Sequence, residues 1–191
     1  DKPVATVAEP TAASAAPLAP AGTAVTYRVT PPDSKVEFVG AKITGKHEGS
    51  FKTFDGAIRL VDGDPTKSTV SVDIEMASVV TDQEKLTGHL KSADFFEVEK
   101  HPKARFVSTE IRAGGEKGAS HTVTGTLAPH GVTKAITFPA TIRTEGDKVL
   151  VDAEFGINRK DFGIVYKGKP DDLIRDDVLI KLTLRAAKAA S

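Results

Sequence analysis

Apolar and polar residues alternate over most of the chain beyond residue 24, which is the pattern of strands that bury one face. The clearest case is the stretch 70–76, whose alternate apolar residues are Val70, Val72, Ile74 and Met76. Such runs recur at hairpin spacing, so we predict about eight antiparallel strands, with turns or irregular loops at residues 42–48 and 158–175. The fold is all-β, and long apolar stripes with no second element to cover them favour a barrel over a sandwich.

One stretch departs from this alternation and has helical spacing. Its apolar side chains share one helical face or follow it directly, and they are Leu86, Leu90, Ala93, Phe95 and Phe96. We predict one short inserted helix from about Asp82, as its N-cap, to Ser92. A helix below ~12 residues is not stable alone in water, so we expect it to cover an apolar opening of the barrel.

The first 24 of the 191 residues differ in composition from the rest. They are rich in Ala, Pro and Thr, and their prolines interrupt any helix. We predict a disordered tether over residues 1–24 and one barrel domain over residues 25–188. Such a tether is typical of exported proteins, so we expect a periplasmic or otherwise exported protein, with an N-terminal lipid anchor as one version. No apolar run approaches the ~20 residues that span a bilayer.

Composition excludes several classes of function. The 26 Lys and Arg residues balance the 26 Asp and Glu residues, which argues against nucleic acid as a partner. Without cysteine there is no disulfide, thiol nucleophile or cysteine metal site. The five histidines have no metal-ligand spacing, and no nucleophile elbow or phosphate loop is present, so we predict neither a metal nor catalysis.

Several motifs, in order and at matching spacing, resemble those of the YceI-like family over residues 27–185. They are residues 51–56 (FKTFDG), 87–98 (TGHLKSADFFEV), 100–102 (KHP) leading to Phe106, 124–127 (TGTL), 131–134 (GVTK), 157–159 (INR) and 161–163 (DFG). The resemblance implies a lipocalin-like, extended eight-stranded antiparallel barrel with one inserted helix. It also implies export, a polyisoprenoid or related long amphipathic lipid in the central tube, no other cofactor, and in some members a homodimer.

The inward apolar positions are the candidates for lining this tube. They are Phe38, Phe54, Ile58, Val72, Ile74, Phe95, Phe96, Phe106, Leu127, Ile136, Phe138, Phe155, Phe162, Ile180 and Leu182. Every barrel needs an inward apolar face, so the periodicity alone allows both a packed core and a ligand cavity.

Basic and aromatic residues of the late loop are the candidates for contacting a polar head group. They are Arg159, Lys160, Tyr166 and Lys167. Leu86 and Thr87 stand where many relatives carry an Arg-Asp pair, and residues 40–42 lack an expected histidine, so we expect a less polar or differently bound head group. The helix is then an apolar wall or lid.

Three functions follow as hypotheses. The leading one is non-catalytic binding, storage or transport of a long-chain amphiphile such as a polyisoprenoid, an isoprenoid quinone or a fatty-acid-like lipid. The second is a structural or stress-related envelope protein with a packed barrel and no ligand. The third is an enzyme that acts on lipid head groups at the opening.

Overall fold

The computed structural model describes residues 2–9, 23–170 and 172–189 of the chain. Within these residues the strands are β1 (Thr6–Ala8), β2 (Ala24–Val29), β3 (Lys35–Lys42), β4 (Gly45–Phe51), β5 (Phe54–Val61), β6 (Asp64–Glu75), β7 (Val79–Thr81), β8 (Lys103–Ala113), β9 (His121–Leu127), β10 (Lys134–Glu145), β11 (Lys148–Asn158), β12 (Gly168–Lys169), β13 (Asp172–Leu173) and β14 (Asp177–Lys188). The helix α1 spans Glu84–Leu90, and 3-10 turns span Met76–Ser78, Glu116–Gly118 and Arg159–Phe162. The predicted all-β class with one short helix is confirmed.

Eight of the described strands close into an antiparallel barrel in the order β2, β5, β6, β8, β9, β10, β11, β14, with β14 pairing back to β2. Alternation along each strand decides which side chains point inward. On β6, for example, Val72 and Ile74 are buried while Asp73 between them is exposed. The predicted eight-stranded barrel is therefore confirmed.

The two ends of the barrel are built differently. At the closed end, the β5–β6, β8–β9 and β10–β11 connections join neighbouring strands. Towards the open end, β14 pairs with β3 instead of β2 over residues 179–183, and β4 and β7 continue the sheet from β3. The pair β3–β4 thus takes the place of β2–β5 in the wall, which extends the barrel at this end.

An N-terminal strap, defined as residues 3–8, completes the wall between β10 and β11. These two strands pair only over residues 141–145 and 148–152. In the gap beyond, β1 pairs with residues 135–137 of β10. On its other side the Ala5 amide donates to the Gly156 carbonyl at 2.9 Å, and the Gly156 amide donates to the Pro3 carbonyl at 2.9 Å.

The strap corrects part of the prediction of a disordered tether over residues 1–24. The prediction is wrong for residues 3–8, because two unpaired strand edges offer hydrogen bonds that the low-complexity composition did not reveal. Ala5 is buried in this position, with 6% of its surface exposed. The part of the predicted tether at residues 10–22 lies outside the described residues.

The helix is shorter than predicted and begins differently. α1 has Gln83 as its N-cap, without a side-chain capping bond. Asp82, the predicted N-cap, instead accepts from the Glu48 amide at 3.4 Å and lies 3.1 Å from His47 Nδ1. The helical face also ends early, since Ala93 is exposed, whereas Phe95 is buried.

The prediction of a turn over the polar stretch 42–48 is also wrong. The turn is confined to Ile43 and Thr44, and β4 begins at Gly45. His47 and Glu48 are opposite Gly40 and Val39 in the β3–β4 ladder. A polar sequence therefore forms a strand here because backbone pairing with β3 stabilises it.

Candidate ligand-binding cavity

A cavity of about 210 Å³ occupies the barrel from its middle to the open end. Most of the predicted tube-lining residues surround it, and these are Phe38, Val72, Ile74, Phe95, Phe96, Phe106, Leu127, Ile136, Phe138, Phe155, Phe162, Ile180 and Leu182. The structure therefore brings together residues from seven strands and from the segment after α1. Periodicity allowed either a packed core or a ligand cavity, and towards the open end the structure has a cavity.

Two predicted lining residues, Phe54 and Ile58, lie outside this cavity. Both are on β5 and are buried in the packed core, with 4% and 3% of their surfaces exposed. Ile58 is opposite Tyr27 of β2 and Val70 of β6, towards the closed end. Their inward direction was predicted correctly. For Ile58, alternation does not report the depth at which the barrel becomes hollow, whereas Phe54 is opposite Ile74, which does line the cavity.

Sequence reasoning missed a further set of lining residues. They are Val36, Gly40, Ala41, Lys42, His47, Phe51, Val70, Met76, Leu86, Leu90, Ala104, Val123, Pro129, Ile142, Val151, Ile157, Ile164, Ile174, Val178 and Leu184. Many of them continue the same strand faces, as Leu184 does after Ile180 and Leu182, so their signal was present. Ile164 and Ile174 lie in the irregular loop, where no periodicity identifies them.

Aromatic rings form much of the cavity wall. Phe138 stacks on Phe155 with centroids 4.3 Å apart, and Phe106 lies 5.8 Å from Phe138. Glycines on the neighbouring strands leave room for these rings. A Cβ at Gly125 would lie 2.5 Å from the Phe106 ring, and one at Gly49 would lie 2.3 Å from the Phe38 ring. The rings therefore lie flat along the wall instead of filling the cavity.

A second aromatic group closes the cavity beneath α1. Phe38, Phe51 and Phe96 have mutual centroid distances of 5.6, 5.9 and 6.4 Å. Leu86 and Leu90 of α1 also line the cavity. The helix and the segment that follows it thus form an apolar wall over the open end, the position predicted for a wall or lid.

Arg159 is the charged residue most deeply placed at the open end, with 5% of its surface exposed. Its Nη1 donates to the Ile164 carbonyl at 2.7 Å and its Nε to the Arg175 carbonyl at 3.1 Å. Asp176 lies 3.7 Å from Nη2. Burial lowers the pKa of Arg159, and the Asp176 carboxylate opposes that shift. Arg159 both lines the cavity and ties the 164–175 loop to the barrel.

The other three predicted head-group residues do not line the cavity. Lys160 is exposed and pairs with Asp176 at 3.1 Å. Tyr166 packs on the far side of the helix segment, with ring centroids 5.1 Å from His89 and 5.4 Å from Phe95. Lys167 is exposed. Head-group contact by these residues stays a prediction. Lys42 and His47 are the other residues with polar side chains that line the cavity, whose accessible surface is apolar.

A histidine pair lies beside the open end, at the β9–β10 turn. The rings of His101 and His130 have centroids 4.8 Å apart. His130 Nε2 is buried and has no hydrogen-bond partner within the described residues. Burial and the neighbouring His101 lower the pKa of His130, and Glu97 opposes this. The described part of the chain has no group of three or more His, Asp or Glu residues arranged to hold a metal ion.

These features first define a class of protein. An eight-stranded antiparallel barrel, extended at one end and hollow with an apolar lining, is a lipocalin-like barrel. The chain belongs to the YceI-like family, since the YceI-like domain matches residues 27–186. The family resemblance seen in the motifs is thereby confirmed.

Individual relatives agree with this assignment. A UPF0312 protein of Pseudomonas putida (strain GB-1) is 38% identical over 139 residues, which are 70% of this chain and 71% of that protein. The crystal structure of BcnA from Burkholderia cenocepacia has a TM-score of 0.72 at 26% identity, and the match covers 81% of this chain and 96% of that one.

A more distant structure has the same fold. A polyisoprenoid binding domain from Saccharophagus degradans, implicated in plant cell wall breakdown, matches with a TM-score of 0.68 at 16% identity. The match covers 86% of this chain and 99% of that domain. None of the helices in the described residues is long and apolar enough to cross a membrane.

Proposed function

We propose that this protein binds one long-chain amphiphilic lipid in the barrel cavity and stores or transports it without changing it chemically. The observation that carries the proposal is the apolar cavity of about 210 Å³ that reaches the open end. Polyisoprenoids, isoprenoid quinones and fatty-acid-like lipids all have the narrow apolar chain that such a tube accepts. A wholly packed barrel, the structural alternative, would lack this volume.

The energy of binding comes mainly from the lipid chain. Each buried methylene contributes ~0.8 kcal/mol. Ten methylenes would contribute roughly 8 kcal/mol, from which the cost of ordering a flexible chain must be subtracted. The lining residues are Val, Ile, Leu and Phe, which offer surface contact and few hydrogen bonds. Affinity should therefore depend on chain length more than on head-group chemistry.

The likeness to the Saccharophagus degradans polyisoprenoid binding domain supports this ligand class. It does so through the shared barrel, since the two sequences are only 16% identical. Polyisoprenoids are thus the first ligands to test, ahead of quinones and fatty acids.

The polar head would lie at the open end. Arg159, Lys42 and His47 are the residues with ionisable side chains among those that line the cavity there. Because Arg159 already donates to loop carbonyls, its charge acts on a head group without a large rearrangement of the loop. Lys160, Tyr166 and Lys167 would contact the head only outside the cavity.

We further propose that the protein is exported to the periplasm. A lipid anchor and a homodimer are two further features to test. The Ala- and Pro-rich composition of the first 24 residues and the absence of cysteine from the chain support export. Fractionation of the producing cells tests the location, and light scattering of the purified protein tests the dimer.

The test of lipid binding combines extraction and a blocking substitution. Protein from the native envelope is extracted with organic solvent and analysed by mass spectrometry, and about one lipid per chain is expected. In Leu182→Trp an indole enters the cavity, so lipid content should fall at least several-fold. Lys181→Trp is the matched control, because Lys181 is exposed on the outer face of the same strand.

Two results would overturn the proposal. One is native protein without stoichiometric lipid, which would favour the structural role. The other is equal lipid content in Leu182→Trp and Lys181→Trp. Phe106→Asp should also abolish uptake, and unchanged uptake in a folded Phe106→Asp protein would place the ligand elsewhere. Turnover of a bound lipid that Arg159→Ala abolishes would instead indicate an enzyme.

A further inference from the structure

Three large apolar side chains are exposed together beside the cavity opening. Ile43, Val165 and Leu173 are 67%, 60% and 44% exposed. We call these three residues the apolar tip. Large aliphatic side chains with this exposure are costly in water, and a group of them marks a surface that contacts another apolar phase.

The tip is built from two loops that are joined by backbone hydrogen bonds. The Ile43 amide donates to the Leu173 carbonyl at 3.1 Å, and the Arg175 amide donates to the Ala41 carbonyl at 2.8 Å. Val165 follows Ile164, whose carbonyl accepts from Arg159. Ile43 and Leu173 therefore lie on joined loops, and Arg159 ties the segment that carries Val165 to the same loop through the Ile164 and Arg175 carbonyls.

The tip is continuous with the cavity. Lys42, Ile164 and Ile174 line the cavity, and each is next to a tip residue in the chain. The tip therefore borders the cavity wall.

Charge at the tip differs from charge at the other end. Residues 41–47 and 163–175, the tip loops, contain five Lys or Arg and two Asp. The closed-end turns at residues 61–65, 113–120 and 145–148 contain five Asp or Glu and two Lys. The tip loops are therefore locally basic, whereas the closed-end turns are acidic.

We propose that the apolar tip docks on the surface of a bilayer that contains anionic phospholipid, with the cavity opening facing the membrane. Ile43, Val165 and Leu173 insert at the boundary of head groups and acyl chains. Exposed Lys46, Lys167 and Arg175 lie over anionic head groups. The purpose of docking, exchange of lipid between bilayer and cavity, rests on the proposed function, but the contact itself does not.

The chain contains no tryptophan, so a single Trp substitution gives an unambiguous reporter of insertion. Ile43→Trp and Leu173→Trp place the reporter on the tip. Val4→Trp is the matched control, because Val4 is an equally exposed aliphatic residue, at 70%, on the strap in the side wall. Vesicles of mixed phosphatidylcholine and phosphatidylglycerol should shift the two tip emissions to the blue, brominated lipid should quench them, and Val4→Trp should show neither effect.

Flotation with the same vesicles measures the affinity. The affinity of the double variant Ile43→Ser, Leu173→Ser should fall by roughly ten-fold or more, because it removes most of the inserted surface. Lys46→Glu with Lys167→Glu should weaken binding by roughly five-fold or more per lysine. Val4→Ser should float like the unsubstituted protein. All five side chains are exposed, so the fold should persist, which circular dichroism checks.

Docking is overturned if the unsubstituted protein fails to float with the mixed vesicles, if the tip variants float as well as Val4→Ser, or if Val4→Trp shifts as much as the tip reporters. Lipid extracted from the same proteins separates this result from the proposed function. Lipid in the cavity of a protein that does not float refutes docking alone. A protein that floats through its tip yet never contains lipid supports docking and refutes the carrier role.

Discussion

The closed and open ends of this barrel share one sequence pattern but have opposite interiors. At the closed end the inward side chains leave a void of about 10 Å³, whereas towards the open end they surround about 210 Å³. Apolar side chains dominate both linings, with Val, Ile and Leu at the closed end and the same residue types with Phe towards the open end. The difference therefore arises from how the strands are arranged, not from how apolar they are.

The wall at the open end differs from the wall at the closed end in two ways. The strap enters between β10 and β11, so the wall gains a strand there. β3 and β4 replace β2 and β5 beside β14, and β7 continues the line of β6. Barrel diameter grows with strand number, so side chains that fill the closed end cannot meet across the open end.

At the closed end, buried serines maintain the tight wall where the ladder is irregular. The pairing shifts register near Leu60 and near Thr109. Ser68 Oγ accepts from the Val61 amide at 3.0 Å, and Ser108 Oγ accepts from the Val70 amide at 2.7 Å. Each hydroxyl thus accepts a hydrogen bond from a backbone amide near the irregular pairing.

The largest expected effect comes from truncating the same residue type at both ends. Ile58→Ala, in the packed region, should lower the free energy of unfolding by ~2–5 kcal/mol, because it creates a new void. Ile180→Ala, in the cavity wall, should cost less than ~2 kcal/mol in delipidated protein, because that side chain already borders empty space. Urea unfolding measures both. Equal losses would contradict the distinction between a packed and a hollow end.

Lipid affinity should show the reverse order. Ile180→Ala removes ligand contact, whereas Ile58 lies outside the cavity. Binding of a fluorescent long-chain lipid is therefore expected to weaken in Ile180→Ala and to be unchanged in folded Ile58→Ala. Weaker binding in Ile58→Ala alone would place the ligand in the closed end.

A smaller effect is expected when the strap is released. In Ala5→Asp a carboxylate enters a buried position, so the strap should leave the wall at a cost of ~1–3 kcal/mol in the free energy of unfolding. Thr6→Asp is the control, since Thr6 is exposed on the same strap. Hydrogen exchange should then become faster at Gly156, whose amide donates to the Pro3 carbonyl. Unchanged exchange at Gly156 would mean that the strap contributes nothing to the wall.

Alternation along the strands predicted the barrel and part of the cavity wall, because each strand buries one face. It did not predict the strap, whose pairing depends on strand edges that are distant in sequence. Ile58 was assigned to the cavity because periodicity reports direction and not depth. Ile164 and Ile174 were missed because their loop has no period, and Arg159 holds that loop through backbone carbonyls that no motif reveals.

The smallest expected effect is a pH dependence confined to the open end. Burial and His101 hold the pKa of His130 below its ordinary value of 6.5, so the folded protein binds fewer protons there than the unfolded chain. The free energy of unfolding should be highest above pH 6.5 and should fall as the pH drops from 6.5 to the folded-state pKa. Below that pKa, His130 is protonated in both states and contributes no further change.

His130→Phe tests this assignment, because Phe keeps a ring in the site and cannot take a proton. Its free energy of unfolding should vary less with pH below 6.5 than that of the unsubstituted protein. Hydrogen exchange resolves the two ends when rates are expressed as protection factors, which correct for the slower intrinsic exchange at low pH: as the pH falls, protection should drop at the β9–β10 turn before the β10–β11 turn. An identical pH profile in His130→Phe would assign the dependence to another group. Faster exchange at both ends together would mean that the packed and hollow halves unfold as one unit.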